Sequence, residues 1–226
     1  MQGLVSRRVV RGSTQTCYAI IIRHKMKTNE MAPFEFSTSN RIIFGRGKTA
    51  ELGQIAQPFG SRALVVTTGS DERARPVYAA LEDAGITYAA FSVTAEPTIH
   101  TARQAVGLVQ SFGAEFVIGF GGGAAIDTGK AVAALATNPD DPLEYLEVIG
   151  QGKPLAHEPL PYIAVPTTAG TGAEVTRNAV LASPDHHVKV SLRSPLMLPR
   201  VALIDPLLMI SLPSAITAST GMDAIT

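Results

Sequence analysis

The chain has 226 residues, of which 46% are hydrophobic and 17% charged, with 20 Gly, 15 Pro, one Cys and a formal net charge of zero. This composition excludes disordered, collagen-like and disulfide-stabilised chains, and the apolar run at residues 17–22 is far shorter than the roughly 20 residues of a transmembrane helix. At this length the chain forms one large or two small domains.

The N-terminal tail is basic: residues 1–29 contain six Lys and Arg and no acid, which leaves a mildly acidic remainder without the basic stripe of a nucleic-acid-binding protein. Three interpretations stay open for this tail. It is an organelle transit peptide, an upstream region ahead of a true start at Met26 or Met31, or a disordered extension. We treat residues 1–33 as an extension and expect a cytoplasmic protein, with organelle targeting as the alternative.

From Pro33 onward, short apolar runs alternate with helical patterns. The alternation predicts strands at residues 41–44, 62–67, 88–93, 115–120 and 162–165, and helices at residues 49–56, 71–83, 101–112 and 124–135. Strands separated by helices of this length predict an α/β, Rossmann-like fold, in which helices cover both faces of a parallel sheet.

Three glycines, Gly121–Gly123, stand between the fourth strand and the helix that follows it. Backbone without Cβ atoms lets an anion approach closely, and the N-terminus of a helix points N–H groups and its positive dipole end at the same place. The pattern predicts a pyrophosphate cradle, although a ligand-free turn is the alternative. We expect Gly122 to have no room for a side chain, because its φ is positive or because the pyrophosphate lies against its Cα.

The spacing of these glycines is not G-x-G-x-x-G, and Ala124 and Ala131 stand where a Walker A motif has Gly and Ser or Thr. Both an ordinary Rossmann dehydrogenase and a P-loop NTPase are therefore disfavoured.

A second polar loop, Pro166–Thr176, follows the fifth strand and includes Thr167, Thr168 and Thr171. It reads either as a solvated loop with hydroxyl-capped turns or as part of a ligand site. Open α/β sheets bind their ligands at the carboxyl ends of strands, so two such loops favour a ligand site.

As an ordered series, these motifs resemble the iron-containing, or group III, alcohol dehydrogenases, which are related to the dehydroquinate synthases. Residues 121–130 resemble the family's GGGS-x-x-D-x-x-K element with Ala124 in place of Ser. Residues 166–176 resemble its PTTxGTGSE-x-T loop with Ala173 in place of Ser, and residues 204–223 resemble the stretch that leads into its metal site. The resemblance runs from about residue 36 to residue 226.

The resemblance implies an N-terminal α/β domain, residues 34–213, that holds NAD or NADP, and a helical domain that holds a divalent metal, iron or zinc. Residues 214–226 would be the first turns of the helical domain, with its remainder missing. The implied reaction is metal-assisted hydride transfer between the nicotinamide and a small alcohol or aldehyde. No nucleic-acid or membrane partner is expected, and a homodimer is left open.

The resemblance also implies site residues, while the catalytic ones stay unknown. Cofactor contacts are implied at Thr68, Gly121, Gly122, Gly123, Ala124, Asp127, Thr167, Thr168, Thr171 and Lys189. Asp223 resembles the family's metal-ligating Asp, whose three partner His would follow Thr226, so we expect this chain alone to be inactive. Thr68 stands where many family members have an Asp that binds the adenosine ribose, which predicts NAD binding with tolerance of NADP.

Two other functions stay open. One is a non-catalytic nucleotide-binding domain that uses the same cradle. The other is a dehydroquinate-synthase-like lyase, which would need more Lys and Arg in the cleft than the chain offers.

Overall fold

A computed structural model describes residues 33–225 of the chain. The basic tail with its two candidate start sites, and Thr226, lie outside the described residues. Contacts separate the chain into Met1–Phe36 and Ser37–Thr226, and the fold described below belongs to the second unit. Within residues 33–225, no helix combines the length and the apolar character needed to cross a bilayer.

The strands and helices follow the predicted alternation. The strands are β1 Arg41–Phe44, β2 Arg62–Thr67, β3 Thr87–Ser92, β4 Phe116–Gly121, β5 Tyr162–Pro166, β6 Asn178–Ser183, β7 Val188–Arg193 and β8 Val201–Ile204. The α-helices are α1 Leu52–Ala56, α2 Asp71–Asp83, α3 Ile99–Phe112, α4 Gly123–Leu135, α5 Pro142–Tyr145 and α6 Ser214–Ile225. Short 3-10 helices lie at Lys48–Glu51, Gln57–Phe59, Ala173–Val175, Pro184–His186, Pro195–Met197 and Pro206–Met209.

A six-stranded parallel sheet in the order β1-β8-β5-β4-β2-β3 forms the centre of the fold. Residues of α1 and α2 pack on one face of it, with Val65 and Ile118 in the same apolar cluster. Residues of α3 and α4 pack on the other face, with Leu64 and Val117. Because consecutive strand residues point to opposite faces, both faces of β2 and β4 are buried, which explains their continuous apolar runs. The predicted α/β fold is confirmed.

The topology opens a crevice between β2 and β4. The chain leaves β2 through α2 on one face toward β3, and it leaves β4 through α4 on the opposite face toward β5. Where neighbouring strands send their helices in opposite directions, the carboxyl ends of the strands are separated by a cleft in which such sheets bind ligands. This cleft places Thr68, which follows β2, opposite the glycines that follow β4.

The hairpin of β6 and β7 is an element that the sequence analysis did not predict. The two strands pair antiparallel from Asn178 opposite Arg193 to Ser183 opposite Val188, apart from the main sheet. Leu181 and Leu192 pack in a third apolar cluster with residues of α4. The hairpin therefore covers the side of α4 that the main sheet leaves open.

Asp205, which follows β8, ties the beginning of the fold to its end. Its Oδ1 accepts hydrogen bonds from the N–H groups of Gly47 and Leu207, each at 3.0 Å. Its Oδ2 accepts from the N–H and the hydroxyl of Thr49, at 3.0 and 2.8 Å. Burial alone would raise the pKa of this carboxyl, but the four donors outweigh burial and lower its pKa below the usual value.

Asp205→Asn should therefore lower the free energy of unfolding by about 2 kcal/mol at pH 7, because the donors lose a charged acceptor. A lowered pKa contributes stability above the unfolded-state value of about 3.9 and loses it as pH falls through the folded-state value. The difference from wild type should thus shrink below about pH 4 in urea unfolding. Asp185→Asn, at an exposed turn, should match wild type, whereas a pH-independent loss in Asp205→Asn would contradict the assignment.

Candidate functional site

The glycine turn, Gly121–Gly123, joins the end of β4 to the start of α4. Gly121 has φ +148°, and a Cβ there would overlap Thr68 Oγ1 and lie 2.9 Å from Ala125 Cβ. Gly122 instead has φ −77°, and a Cβ there would make ordinary contact with Thr168 at 3.5 Å. The expectation of a positive φ at Gly122 is wrong: Gly121 has the glycine-specific conformation, because its backbone must pass the side chain of Thr68.

Helix α4 begins at the cleft without a side-chain cap. Gly122 is its N-cap residue and supplies no side chain, and the first N–H groups of any helix lack acceptors within the helix. The Gly122 N–H lies 3.4 Å from Thr68 Oγ1. Gly122, Gly123 and Ala124 are all partly exposed. Donors and the positive end of the helix dipole thus face the cleft, an arrangement suited to an anion.

The threonine loop, Thr167–Thr176, lies over this turn. The N–H of Thr167 donates to Gly121 O at 2.9 Å, and Thr167 is 3% exposed. Thr168 Oγ1 lies 3.6 Å from where a Cβ on Gly122 would stand, and Thr171 Oγ1 lies 3.7 Å from the matching position on Gly123. The structure therefore brings together the glycines and the three threonines that the sequence analysis singled out.

The tip of the threonine loop touches helix α6. A Cβ on Gly170 would overlap the carbonyl oxygen of Thr220 and lie 2.8 Å from Thr220 Cβ. The backbone of the loop therefore lies directly against α6, with no side chain of Gly170 between them.

Two of the predicted cofactor contacts, Asp127 and Lys189, make their hydrogen bonds and ion pairs away from the glycine turn. Asp127 Oδ2 accepts from the N–H of Val180 in β6 at 3.2 Å, and burial raises the pKa of its carboxyl. The Lys189 ammonium pairs with Glu96 at 2.5 Å, and 62% of the Lys189 side chain is exposed. The cofactor roles of Asp127 and Lys189 stay predictions.

Asp223, the predicted metal ligand, lies exposed on α6. Among residues 33–225, no group of three His, Cys, Asp or Glu side chains is arranged to hold a metal ion.

Lys130 is a site residue that the sequence analysis left without a role. It lies on α4 and is 1% exposed. Its Nζ donates to Ala173 O at 2.7 Å, Asn178 O at 2.8 Å and Thr176 Oγ1 at 3.1 Å. Burial lowers the pKa of this ammonium to about 8, against the opposing effect of nearby carboxylates. The available signal was a lone lysine inside an almost wholly apolar helix.

Tyr162 of β5 fixes the distance between α4 and the sheet. Its hydroxyl donates to Ile126 O at 2.8 Å. A Cβ on Gly119 of β4 would overlap that hydroxyl, and a Cβ on Gly129 of α4 would lie 2.8 Å from Tyr162 Cε2. The ring thus occupies space that two glycines leave open. Sequence analysis had no signal for this pairing beyond the glycines themselves.

Comparisons with known proteins point to one family. The family model described as iron-containing alcohol dehydrogenase matches residues 39–206. A mitochondrial hydroxyacid-oxoacid transhydrogenase of Caenorhabditis elegans is 33% identical over 193 residues, which are 81% of this chain and 41% of the relative. The chain spans about half the length of the curated relatives that it matches.

Comparison with solved structures finds proteins of the same kind. A 1,3-propanediol oxidoreductase superimposes with a TM-score of 0.80 at 34% identity, covering 86% of this chain and 51% of that one. A sulfoacetaldehyde reductase from Bifidobacterium kashiwanohense, solved in complex with NAD⁺, superimposes with a TM-score of 0.76 at 32% identity, covering 85% and 51%.

The two glycines should respond differently to an added methyl group in the ligand-free protein. Gly121→Ala should lower the free energy of unfolding by about 1–3 kcal/mol, because alanine is strained at this φ and its Cβ meets Thr68. Gly122→Ala should stay within about 0.5 kcal/mol of wild type, because its Cβ fits. Urea unfolding measures both variants, and equal losses would contradict the assignment of the strained position.

Proposed function

Because this chain belongs to the iron-containing alcohol dehydrogenase family, we propose that it binds NAD(H) or NADP(H) and takes part in hydride transfer between small alcohols and aldehydes. The relatives include a lactaldehyde reductase of Escherichia coli, 34% identical over 201 residues. We assign cofactor binding to residues 34–213 and a separate helical region to residues from 214 onward.

The observation that carries this proposal is the uncapped start of α4 at the cleft between β2 and β4. The N–H groups of Gly123 and Ala124 would receive the diphosphate of the cofactor, since the N-cap residue of α4 supplies no side chain to them, whereas the Gly122 N–H donates to Thr68 Oγ1. Thr168 and Thr171 would hold its far side with their hydroxyl groups. When bound, the nicotinamide supplies the hydride acceptor or donor, and the protein orients it.

The described residues do not fit the metal that the resemblance implies. Asp223 is the one candidate ligand carried over from the resemblance, and sites for transition metals normally recruit about three or four protein ligands. We therefore confine the role of residues 33–225 to binding and orienting the cofactor.

NADH fluorescence titration tests the proposal. The wild-type chain should bind NADH, and Gly122→Val should abolish binding while keeping a cooperative thermal transition without ligand, because its branched side chain fills the cradle and spares the fold. Gly107→Val is the matched control, because Gly107 is exposed on α3 with open space around its Cα. It should bind like wild type.

Absorbance of the reduced nicotinamide, followed with short alcohols, diols and aldehydes, adds a second readout. We expect no turnover from the 226-residue chain with Fe²⁺ or Zn²⁺. Metal-dependent turnover would show that Asp223 finds partner ligands within the chain or in a second copy. Failure of the wild-type chain to bind either dinucleotide would refute the proposed function.

Thr68 and Arg73 support tolerance of a 2′-phosphate. Thr68 supplies no carboxylate that would repel the phosphate. The Arg73 guanidinium lies 3.8 Å from where a Cβ on Gly69 would stand, and its buried Nη2 has no hydrogen-bond partner among the described residues. A guanidinium cation therefore lies beside the loop after β2, where adenosine ribose binds in such sheets.

Thr68→Asp should shift the NADH-to-NADPH affinity ratio at least about tenfold toward NADH, about 1.4 kcal/mol, because the new carboxylate repels the 2′-phosphate. Thr68→Asn, which has the same shape without the charge, should shift the ratio little. A wild-type preference for NADH above about a thousandfold, roughly 4 kcal/mol, would show that Thr68 is not the determinant.

A further inference from the structure

We propose that Lys130 is a positioning residue whose protonated ammonium holds the threonine loop over the glycine turn, so that dinucleotide binding requires the charged form of a side chain that never touches the cofactor. This inference rests on the proposed function and adds a residue and a pH dependence to it.

The threonine loop is held at one end by the last residue of β4 and at the other end by helix α4. Its first residue, Thr167, donates to Gly121 O at 2.9 Å. At its other end, Ala173 O and Thr176 Oγ1 accept from Lys130 Nζ at 2.7 and 3.1 Å. Lys130 lies about two helical turns beyond Gly123 on α4. The helix that begins at the glycine turn therefore also holds the far end of the loop that lies over the turn.

The three hydrogen bonds match the donor capacity of an ammonium group. A protonated lysine has three N–H donors, and Ala173 O, Thr176 Oγ1 and Asn178 O use all three. A neutral amine has two donors and a lone pair, so the Thr176 hydroxyl would have to donate to that lone pair and give up its 3.2 Å hydrogen bond to Ala173 O. Such a loss is costly in a buried site. Deprotonation should therefore weaken the attachment of this end of the loop to α4, because the remaining hydrogen bonds lose the charge of the ammonium.

Among the titratable and charged groups that surround Lys130, Lys130 itself is the group whose pKa lies near 8. Asp127 Oδ1 lies 3.9 Å from the ammonium on the same helix, and Glu174 acts on it from the loop. The pKa of Tyr162 is raised well above its usual value by burial. Arg200 lines the same small cleft as Lys130 and pairs with Glu158 at 3.2 Å. Burial lowers the pKa of Lys130 to about 8, close to the physiological range.

The first experiment needs neither ligand nor variant. Carbon-detected NMR should follow the Lys130 Cε and the Ala173 carbonyl carbon of the apo protein from pH 7 to pH 9.5. Both signals should move together with a midpoint near pH 8. A lysine that titrates while the Ala173 carbonyl stays fixed, or a lysine that stays charged throughout, would overturn the proposal.

The second experiment measures NADH affinity over the same pH range. Wild-type affinity should fall at least about tenfold as pH rises through 8. Lys130→Met should bind at least about tenfold more weakly than wild type at pH 7 and show no pH dependence. Lys130→Arg should recover part of the affinity without the pH dependence, because arginine stays charged. The control Lys153→Met, at an exposed lysine paired with Glu144, should follow wild type.

The two experiments separate the possible failures. If the wild-type protein binds no NADH at any pH, the proposed function fails, while the carbonyl titration still decides whether Lys130 holds the loop. If wild-type affinity is independent of pH, or Lys130→Met binds as tightly as wild type, the positioning role is refuted and the proposed function stands.

Discussion

The close approach of Gly121 to Thr68 is the constraint on which the candidate site depends. The chain must leave β4 and enter α4 beside a threonine that closes the neighbouring strand, and only a residue without Cβ passes there at φ +148°. This passage brings the start of α4 to the cleft and exposes its first N–H groups. The fold itself therefore requires this turn, even without a ligand. For this reason Gly121 must be a glycine for the backbone to pass Thr68, whereas Gly122 has room for a Cβ.

Tyr162 and Lys130 hold helix α4 in place through different contacts. The tyrosine ring fills the space between Gly119 and Gly129, so the helix lies close against the sheet. The lysine ammonium fastens the helix to the threonine loop and to β6. Charge burial of this kind stabilises a structure only when every donor is matched, and here every donor is matched. The helix is thus held by the packing and the hydroxyl hydrogen bond of Tyr162 and by the three hydrogen bonds of Lys130.

Much of this architecture could be predicted from the sequence because its signals are local. Alternating apolar runs gave the parallel sheet, and α2 falls at Asp71–Asp83 as predicted. The β6–β7 hairpin was harder to predict, because β6 shows no alternation of polar and apolar residues and the turn has no Asn-Gly or Asp-Gly signal. The partners of Lys130 lie more than 40 residues away, and local patterns carry no information on such contacts. Assigning the strained position to Gly121 rather than Gly122 likewise required the side chain of Thr68.

The contact between Gly170 and Thr220 connects helix α6 to the threonine loop, and so to the glycine turn beneath it. Because backbone lies against backbone there, no flexible side chain can absorb a displacement of α6. A tilt of that helix must push the loop tip or open a gap beside it. The two ends of the same loop are bonded to Gly121 and Lys130. A displacement of α6 would therefore move the middle of the loop while its ends stay in place. A movement of α6 would thereby change the curvature of the threonine loop where it lies over the glycine turn.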